Sequence, residues 1–260
     1  MKKFPFLSIG AIVFFFGLLV ISDIWLRPEK KEEKKVDAPK VSIPEPLVPE
    51  VNTPEVIPEP PVPGISVQEK KAQFKATIIP AVNEVYSDLM RQYQEVSESI
   101  QAGDDIDKFA ALRKEYKATN NDELLMSLKP HPQSIAIAQA AMESSWATSR
   151  FFKEANNVFG IWSYSKNEAR MAAGEKRGDQ TIWVKKYGSV EASIRDYYRT
   201  LARGDAYKEF RILKMETNDP YELVKKLDSY SEKREEYGKE LSTIIRFNKF
   251  DAHDQQQTTL

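Results

Sequence analysis

The feature that most limits what this chain can fold into is a run between Pro132 and Trp146, Gln-Ser-Ile-Ala-Ile-Ala-Gln-Ala-Ala-Met-Glu, ending at Glu143. A helix that is apolar on every side belongs at the centre of a helical domain, not on its surface. Four alanines, at 136, 138, 140 and 141, let neighbouring helices approach closely. Pro132 suits a helical first turn. The run closes on a carboxyl, and an unpaired buried charge is expensive. Such a setting disfavours the charged form, and a carboxyl that keeps its proton near neutral pH can donate it to a leaving oxygen. The bland alternatives for Glu143 are a salt bridge to Arg150 or Lys153, or a side chain turned to water. Its surroundings favour the chemical reading: Gln139 four residues before, Trp146 three residues after, and then Asn156-Asn-Val-Phe-Gly-Ile-Trp162. Asparagines can turn a chain tightly or read sugar hydroxyls and amides. Aromatic rings stack on the apolar faces of sugars, which makes Trp162 and Trp183 candidate cleft walls. Phe159 fits ordinary packing as well as a site role.

The rest of the chain sets the frame. The run from Phe4 to Leu26 is long enough to cross a bilayer core of about 30 Å. After Ile21 comes Ser-Asp-Ile-Trp-Leu-Arg-Pro rather than a small-residue cleavage site, so residues 1–26 read as a transmembrane signal anchor, with cleaved secretion as the alternative. Lys2 and Lys3 precede it, whereas Arg27, Lys30, Lys31, Lys34 and Lys35 come after, and the positive-inside rule alone would keep the downstream side in the cytoplasm. The site chemistry argues for export to the periplasm instead. Residues 27–66 hold ten of the fifteen prolines and read as an extended linker. Cysteine is absent, which excludes disulfides and thiolate metal sites. A formal net charge of −1 with both signs interspersed gives no reason to expect nucleic-acid binding.

Beyond the linker the period is helical. Phe74, Ile78, Val82, Val85, Leu89 and Tyr93 make one stripe, with Pro80 expected to kink it or to start a helix. Ile106 to Tyr116 and Leu124 to Leu128 suggest two more helices, so 67–129 reads as a helical extension before a domain at 130–250. After Trp162 the period is lost, and Thr181 to Tyr187 alternates like a strand, which points to a small β-lobe at 163–187. Further helices are expected after Ser189, after Asp219-Pro220, and around Tyr237 to Ile245. The tail, 251–260, is expected to be disordered.

These motifs carry a resemblance. Ala138-Gln-Ala-Ala-Met-Glu-Ser-Ser-Trp146, the loop 156–162, Tyr187-Gly-Ser-Val-Glu-Ala-Ser-Ile-Arg-Asp-Tyr197 and the segment from Tyr230 to Tyr237 resemble the endo-β-N-acetylglucosaminidase domain of peptidoglycan hydrolases, glycoside hydrolase family 73, in its Bax-type branch. The resemblance spans about 68–250. It implies a mainly α, lysozyme-like domain with a small β-lobe or hairpin. It also implies hydrolysis of the β-1,4 bond between N-acetylglucosamine and N-acetylmuramic acid, with no metal or organic cofactor. Glu143 stands where the family's general acid stands, and Tyr230 where a cleft tyrosine stands, although the family's Tyr-Ala-Thr-Asp is here Tyr-Ser-Glu-Lys. For a second acidic group Glu168, Glu175 and Asp179 are available, and Glu175 is preferred. The substrate's 2-acetamido group is a further possibility. The expected substrate contacts are Gln139, Trp146, Asn157, Phe159, Trp162 and Trp183. The expected partners are peptidoglycan strands or related N-acetylglucosamine oligosaccharides, and the inner membrane through 4–26. The rivals are a lysozyme or lytic transglycosylase on the same polymer, and a glycan-binding scaffold without activity.

Overall fold

The structure, a computed structural model, describes residues 65–103, 106–177, 180–231 and 234–254. The anchor expected at 4–26 and the linker lie outside the described residues. Among the described residues, no helix is long and apolar enough to cross a membrane.

Helix α1 (Val67–Gln101) opens with a capping box, in which the Ser66 side chain accepts from Glu69 N–H and the Glu69 carboxylate accepts from Ser66 N–H. Its stripe Phe74, Ile78, Val82, Val85 and Leu89 is buried as expected. Pro80 neither starts a helix nor ends one. It lies on the exposed face, as does Ala76, so the carbonyl that loses its i+4 donor meets water. A 3₁₀ turn (Ile106–Phe109) leads into α2 (Ala110–Tyr116) and α3 (Asn121–Leu128). The apolar run forms α4 (Gln133–Glu143), which packs on α1 and on α9 (Glu235–Asn248). Residues 133 to 141 are all buried, so the inference of a central helix holds. Phe74 to Leu89 of α1 share one core with Ile135 and Ile137, while Val96, Phe109, Tyr116, Leu124 and Leu128 form a second cluster that reaches α6 through Ala202.

Two helices had no counterpart in the sequence reading: α5 (Arg150–Ala155) and α7 (Lys208–Glu216). Between them lie the antiparallel hairpin β1 (Arg170–Arg177) and β2 (Gln180–Lys185), and α6 (Val190–Arg203), which Ser189 caps as expected. The hairpin pairs Ala172 with Trp183 and Lys176 with Thr181, which leaves Ala173, Gly174 and Glu175 opposite Ile182 alone. Gly174 takes φ +91° at this bulge, and Arg150 donates to the carbonyls of Ala172 and Ala173 at 2.8 Å each. One turn of helix, α8 (Pro220–Leu223), and short 3₁₀ turns connect α7 to α9.

Residues 251–254, expected to open a disordered tail, are held against the domain, and 255–260 lie outside the described residues. Phe250–His253 forms a 3₁₀ turn, and Asp254 accepts from Ser134 N–H at 2.9 Å and from the Ser134 hydroxyl at 2.5 Å. Helix α4 has no side-chain cap of its own at Pro132, so the end of the domain supplies one: a carboxylate at the positive end of the helix.

Candidate active site

Glu143 is the last residue of α4 and the first along it, with Met142, to emerge from full burial. The next four residues fix it there. Ser145, Trp146 and Ala147 have φ of +51°, +60° and +61°, a left-handed turn without glycine. Each such residue costs roughly 1–2 kcal/mol against the right-handed form. Ser144 holds the turn: its buried hydroxyl donates to Ala140 O at 2.6 Å and accepts from Ala147 N–H at 2.8 Å, while Trp146 N–H reaches Ala141 O at 2.8 Å. Strain compensated so locally is typical of functional segments. Here it ends the helix abruptly beside the carboxyl.

A directional chain of hydrogen bonds orients the carboxyl. Tyr237, on α9, donates its hydroxyl to Glu143 Oε1 at 2.9 Å. Gln139 donates its amide to Tyr237 Oη at 2.8 Å. Tyr197, on α6, donates to Gln139 Oε1 at 2.5 Å. Only one orientation of the Gln139 amide allows both of its bonds, and every proton then points along the chain toward Glu143. The tyrosines stay protonated. Burial, followed by the Glu143 charge, pushes the Tyr237 phenol well above its ordinary value, and burial does the same for Tyr197. Tyr230 stacks on Tyr237 with ring centroids 5.4 Å apart, and its phenol is pushed up by burial and then by Glu143.

This arrangement relocates several expected contacts. Gln139 is fully buried, with both ends of its amide used, so it positions the carboxyl and does not face substrate. Phe159 is fully buried and stacks on Tyr197 at 3.9 Å, the packing alternative. Asn157 is 1% exposed: it accepts from Ile161 N–H at 3.0 Å and donates to Ile161 O and Lys185 O at 2.9 Å each. The loop 156–162 is therefore a backbone clamp, tightened by φ +66° at Gly160, that seats Phe159 under Tyr197. Tyr230, expected to point into a cleft, is 1% exposed. Trp146 turns its ring toward α1 and the C-terminal turn, against Phe74 at 5.1 Å and Phe250 at 6.4 Å, with Lys71 over its face. Trp162 and Trp183 remain half-exposed on the hairpin lobe. Trp162 bridges to Val184, and the Arg170 guanidinium covers Trp183 at 4.2 Å.

Among the lobe acids, Glu168 is occupied: it accepts from the Ser163 hydroxyl at 2.7 Å and faces Lys185 at 4.0 Å. Glu175 sits in the bulge of β1, and Asp179 lies outside the described residues. A half-buried cluster ties the lobe to α6. Asp196 accepts from Lys185 at 2.8 Å, from the Tyr187 hydroxyl at 2.7 Å and from Arg199 at 3.0 Å. Burial works against its charge, but these donors outweigh it and hold the carboxyl below its usual range. Among the described residues no cluster of His, Cys, Asp or Glu has metal-site geometry.

In sequence, Tyr237 is marked only as part of a helix stripe, not as the partner of Glu143. The two are 94 positions apart, and no local pattern joins them. Asp254 was missed for its place in a polar tail.

A carboxyl at the end of a buried helix, aimed by a buried tyrosine–glutamine relay and flanked by a hairpin lobe, defines a glycosidase-like site. Residues 122–250 match the glucosaminidase family, described as mannosyl-glycoprotein endo-β-N-acetylglucosaminidase. Protein bax of Escherichia coli (strain K12) is 28% identical over 123 residues, which are 45% of this chain and 43% of that protein. The chain thus spans less than half the length of that curated relative. Among solved structures, the catalytic domain of the autolysin Auto from Listeria monocytogenes is 20% identical, with a TM-score of 0.43 over 74% of this chain and 100% of that one. A peptidoglycan hydrolase from Sphingomonas sp. A1 is 18% identical, with a TM-score of 0.40 over 54% of this chain and 86% of that one.

Proposed function

We propose that this chain is a peptidoglycan hydrolase that cleaves the β-1,4 bond between N-acetylglucosamine and N-acetylmuramic acid. Glu143 is the general acid. Its proton passes to the glycosidic oxygen as the carbon–oxygen bond breaks and positive charge develops on the sugar ring. The observation that carries this reading is the Tyr197–Gln139–Tyr237 relay, which spends three buried polar side chains on aiming one carboxyl. Tyr237 fixes Oε1 and with it the direction of the proton. Tyr230, stacked behind Tyr237, adds a phenolic dipole to the same corner.

The second group is Glu175 or the substrate's own 2-acetamido oxygen. The engagement of Glu168 with Ser163 and Lys185 favours Glu175 among the lobe acids, and its place in a bulge suits a site residue, since bulges recur beside active sites. Trp162 and Trp183 serve as sugar-stacking walls on the lobe, and Arg170 must swing off Trp183 when substrate binds. Residues 4–26 anchor the protein in the inner membrane, and the proline-rich segment carries the domain outward into the periplasm. Digestion of purified sacculi with mass spectrometry of the products tests the bond. N-acetylglucosamine at the new reducing ends is expected. Muramic or anhydromuramic acid there would assign the enzyme to the lysozyme or transglycosylase class.

A further inference from the structure

The turn that ends α4 is strained, and its three left-handed residues, Ser145, Trp146 and Ala147, all carry a Cβ. Relaxed to the right-handed form, they would let α4 run on. Trp146, three positions after Glu143, would then share the carboxyl's face of the helix and lie over it. The Ser144 hydrogen bonds oppose this, and the Trp146 ring adds a second hold, because side chains from three other segments meet on it. From α1, Phe74 meets the indole edge-to-face at 5.1 Å and 72°, and the Lys71 ammonium lies 4.6 Å over the ring. The 3₁₀ turn after α9 brings Phe250 to 6.4 Å. The end of α9 steadies the lysine: Asn248 accepts from Lys71 Nζ at 3.1 Å and donates to Ile244 O at 2.8 Å. Phe74 and Phe250 belong to the buried core, and Trp146 and Ala147 pack against it. A cation is drawn to the face of an indole and a phenyl ring favours an edge-to-face approach, so these contacts set the tilt of the ring as well as its place.

The geometry points to Trp146 as a positioning residue for Glu143, held in its turn by Lys71 and Phe74 of α1. This rests on the reading of Glu143 as the general acid. With the ring clamped, the Trp146 N–H keeps Ala141 O at 2.8 Å and the Ala147 N–H keeps the Ser144 hydroxyl at 2.8 Å. With both bonds in place α4 stops at Glu143, the indole stays off the carboxyl, and the carboxyl stays where the Tyr237 hydroxyl meets it at 2.9 Å. Lys71 and Phe74 precede residue 122, where the family match begins. The first turns of α1 are therefore part of the device that aims the acid, not a spacer in front of it. A reacting group displaced by about 1 Å can lose on the order of 100-fold in rate, so a turn that slackens is felt in the chemical step.

The test is steady-state digestion of soluble peptidoglycan strands by the full chain, with kcat and KM measured separately for Trp146→Leu, Trp146→Phe, Lys71→Met and Lys71→Arg, each well below its own melting temperature. Trp146→Leu should lower kcat about 10- to 100-fold and leave KM within about twofold, and Trp146→Phe should recover most of the loss. Lys71→Met should lower kcat about threefold or more at unchanged KM, and Lys71→Arg, which keeps a cation over the ring, should restore it. Lys71 is only half-buried, so its variants fold and decide the matter even where Trp146→Leu does not. A raised KM at unchanged kcat overturns the proposal, because the ring would then be touching substrate. A lower melting temperature with kcat and KM both at wild-type values overturns it as well, because the clamp would then serve only the fold. Glu143→Gln in the same assay separates the two readings. Glu143→Gln inactive, beside Trp146 and Lys71 variants at the wild-type kcat, refutes the positioning role alone; Glu143→Gln active refutes the acid itself.

Discussion

Replacing Tyr237 by phenylalanine probes the site at its centre. The ring remains and keeps its stack on Tyr230. Two interactions go: the 2.9 Å donation to Glu143 and the 2.8 Å acceptance from Gln139. The first is a hydrogen bond to an ionisable carboxyl, worth about 1.5–3 kcal/mol. Because that donor favours the charged form, losing it makes the carboxyl hold its proton more tightly. The second leaves a buried amide stranded, which costs roughly 1–3 kcal/mol of stability and frees Gln139 to tilt. Two results are expected in a pH–rate series on suspended cell walls. The alkaline limb of kcat should move to higher pH, and the plateau should fall about 10- to 100-fold as the acid loses its aim. Tyr197→Phe, one bond further back, should shift both in the same direction by less. The two changes combined should be less than additive, since they act through one glutamine. An alkaline limb that stays in place while Tyr237→Phe remains folded by circular dichroism would refute the relay as the device that governs Glu143.

Other substitutions test the scaffold. Asn157→Ala removes three buried hydrogen bonds and should cost about 3 kcal/mol, read as a lower midpoint in urea. Asp196→Ala strands Lys185 and loosens the hairpin from α6; a loss of about 2–3 kcal/mol is expected, with amide exchange rising first in β2. His131 is neutral in the fold down to about 3, below its ordinary 6.5, so the unfolded chain takes up a proton first on acidification. The stability this represents is complete above pH 6.5 and drains away between 6.5 and 3, at about 1.4 kcal/mol per pH unit. His131→Phe should remove that slope from denaturation curves at pH 4 to 6.

The helical centre was legible because α4 carries its own argument: eight apolar or small residues, interrupted only by Gln139, between Gln133 and a carboxyl allow no other placement. The long stripe of α1 was equally plain, and Pro80 misled only because its exposed face could not be known in advance. The hairpin was half visible. Residues 181–185 alternate, but β1 does not, because the bulge at Gly174 breaks the two-residue period. At the site, proximity in sequence located the right neighbourhood and the wrong side. Gln139, one helical turn from Glu143, has the spacing of a substrate contact, yet a helix buried all round has no free face at that position. Asn157 and Phe159 belong to the motif because they build the platform under Tyr197, not because they meet sugar. The tyrosine that touches the carboxyl comes from a helix far along the chain, and only folding brings it there.

The central claim is that the Glu143 carboxyl delivers a proton to a glycosidic oxygen. Its most direct test is the rate of cell-wall digestion by Glu143→Gln, measured beside its binding to the same walls. Glutamine keeps the shape and can still accept from Tyr237, but it has no proton to give at any working pH. Digestion reduced by at least about 1,000-fold, with binding and melting temperature retained, is the predicted result. Digestion at the wild-type rate would contradict the account.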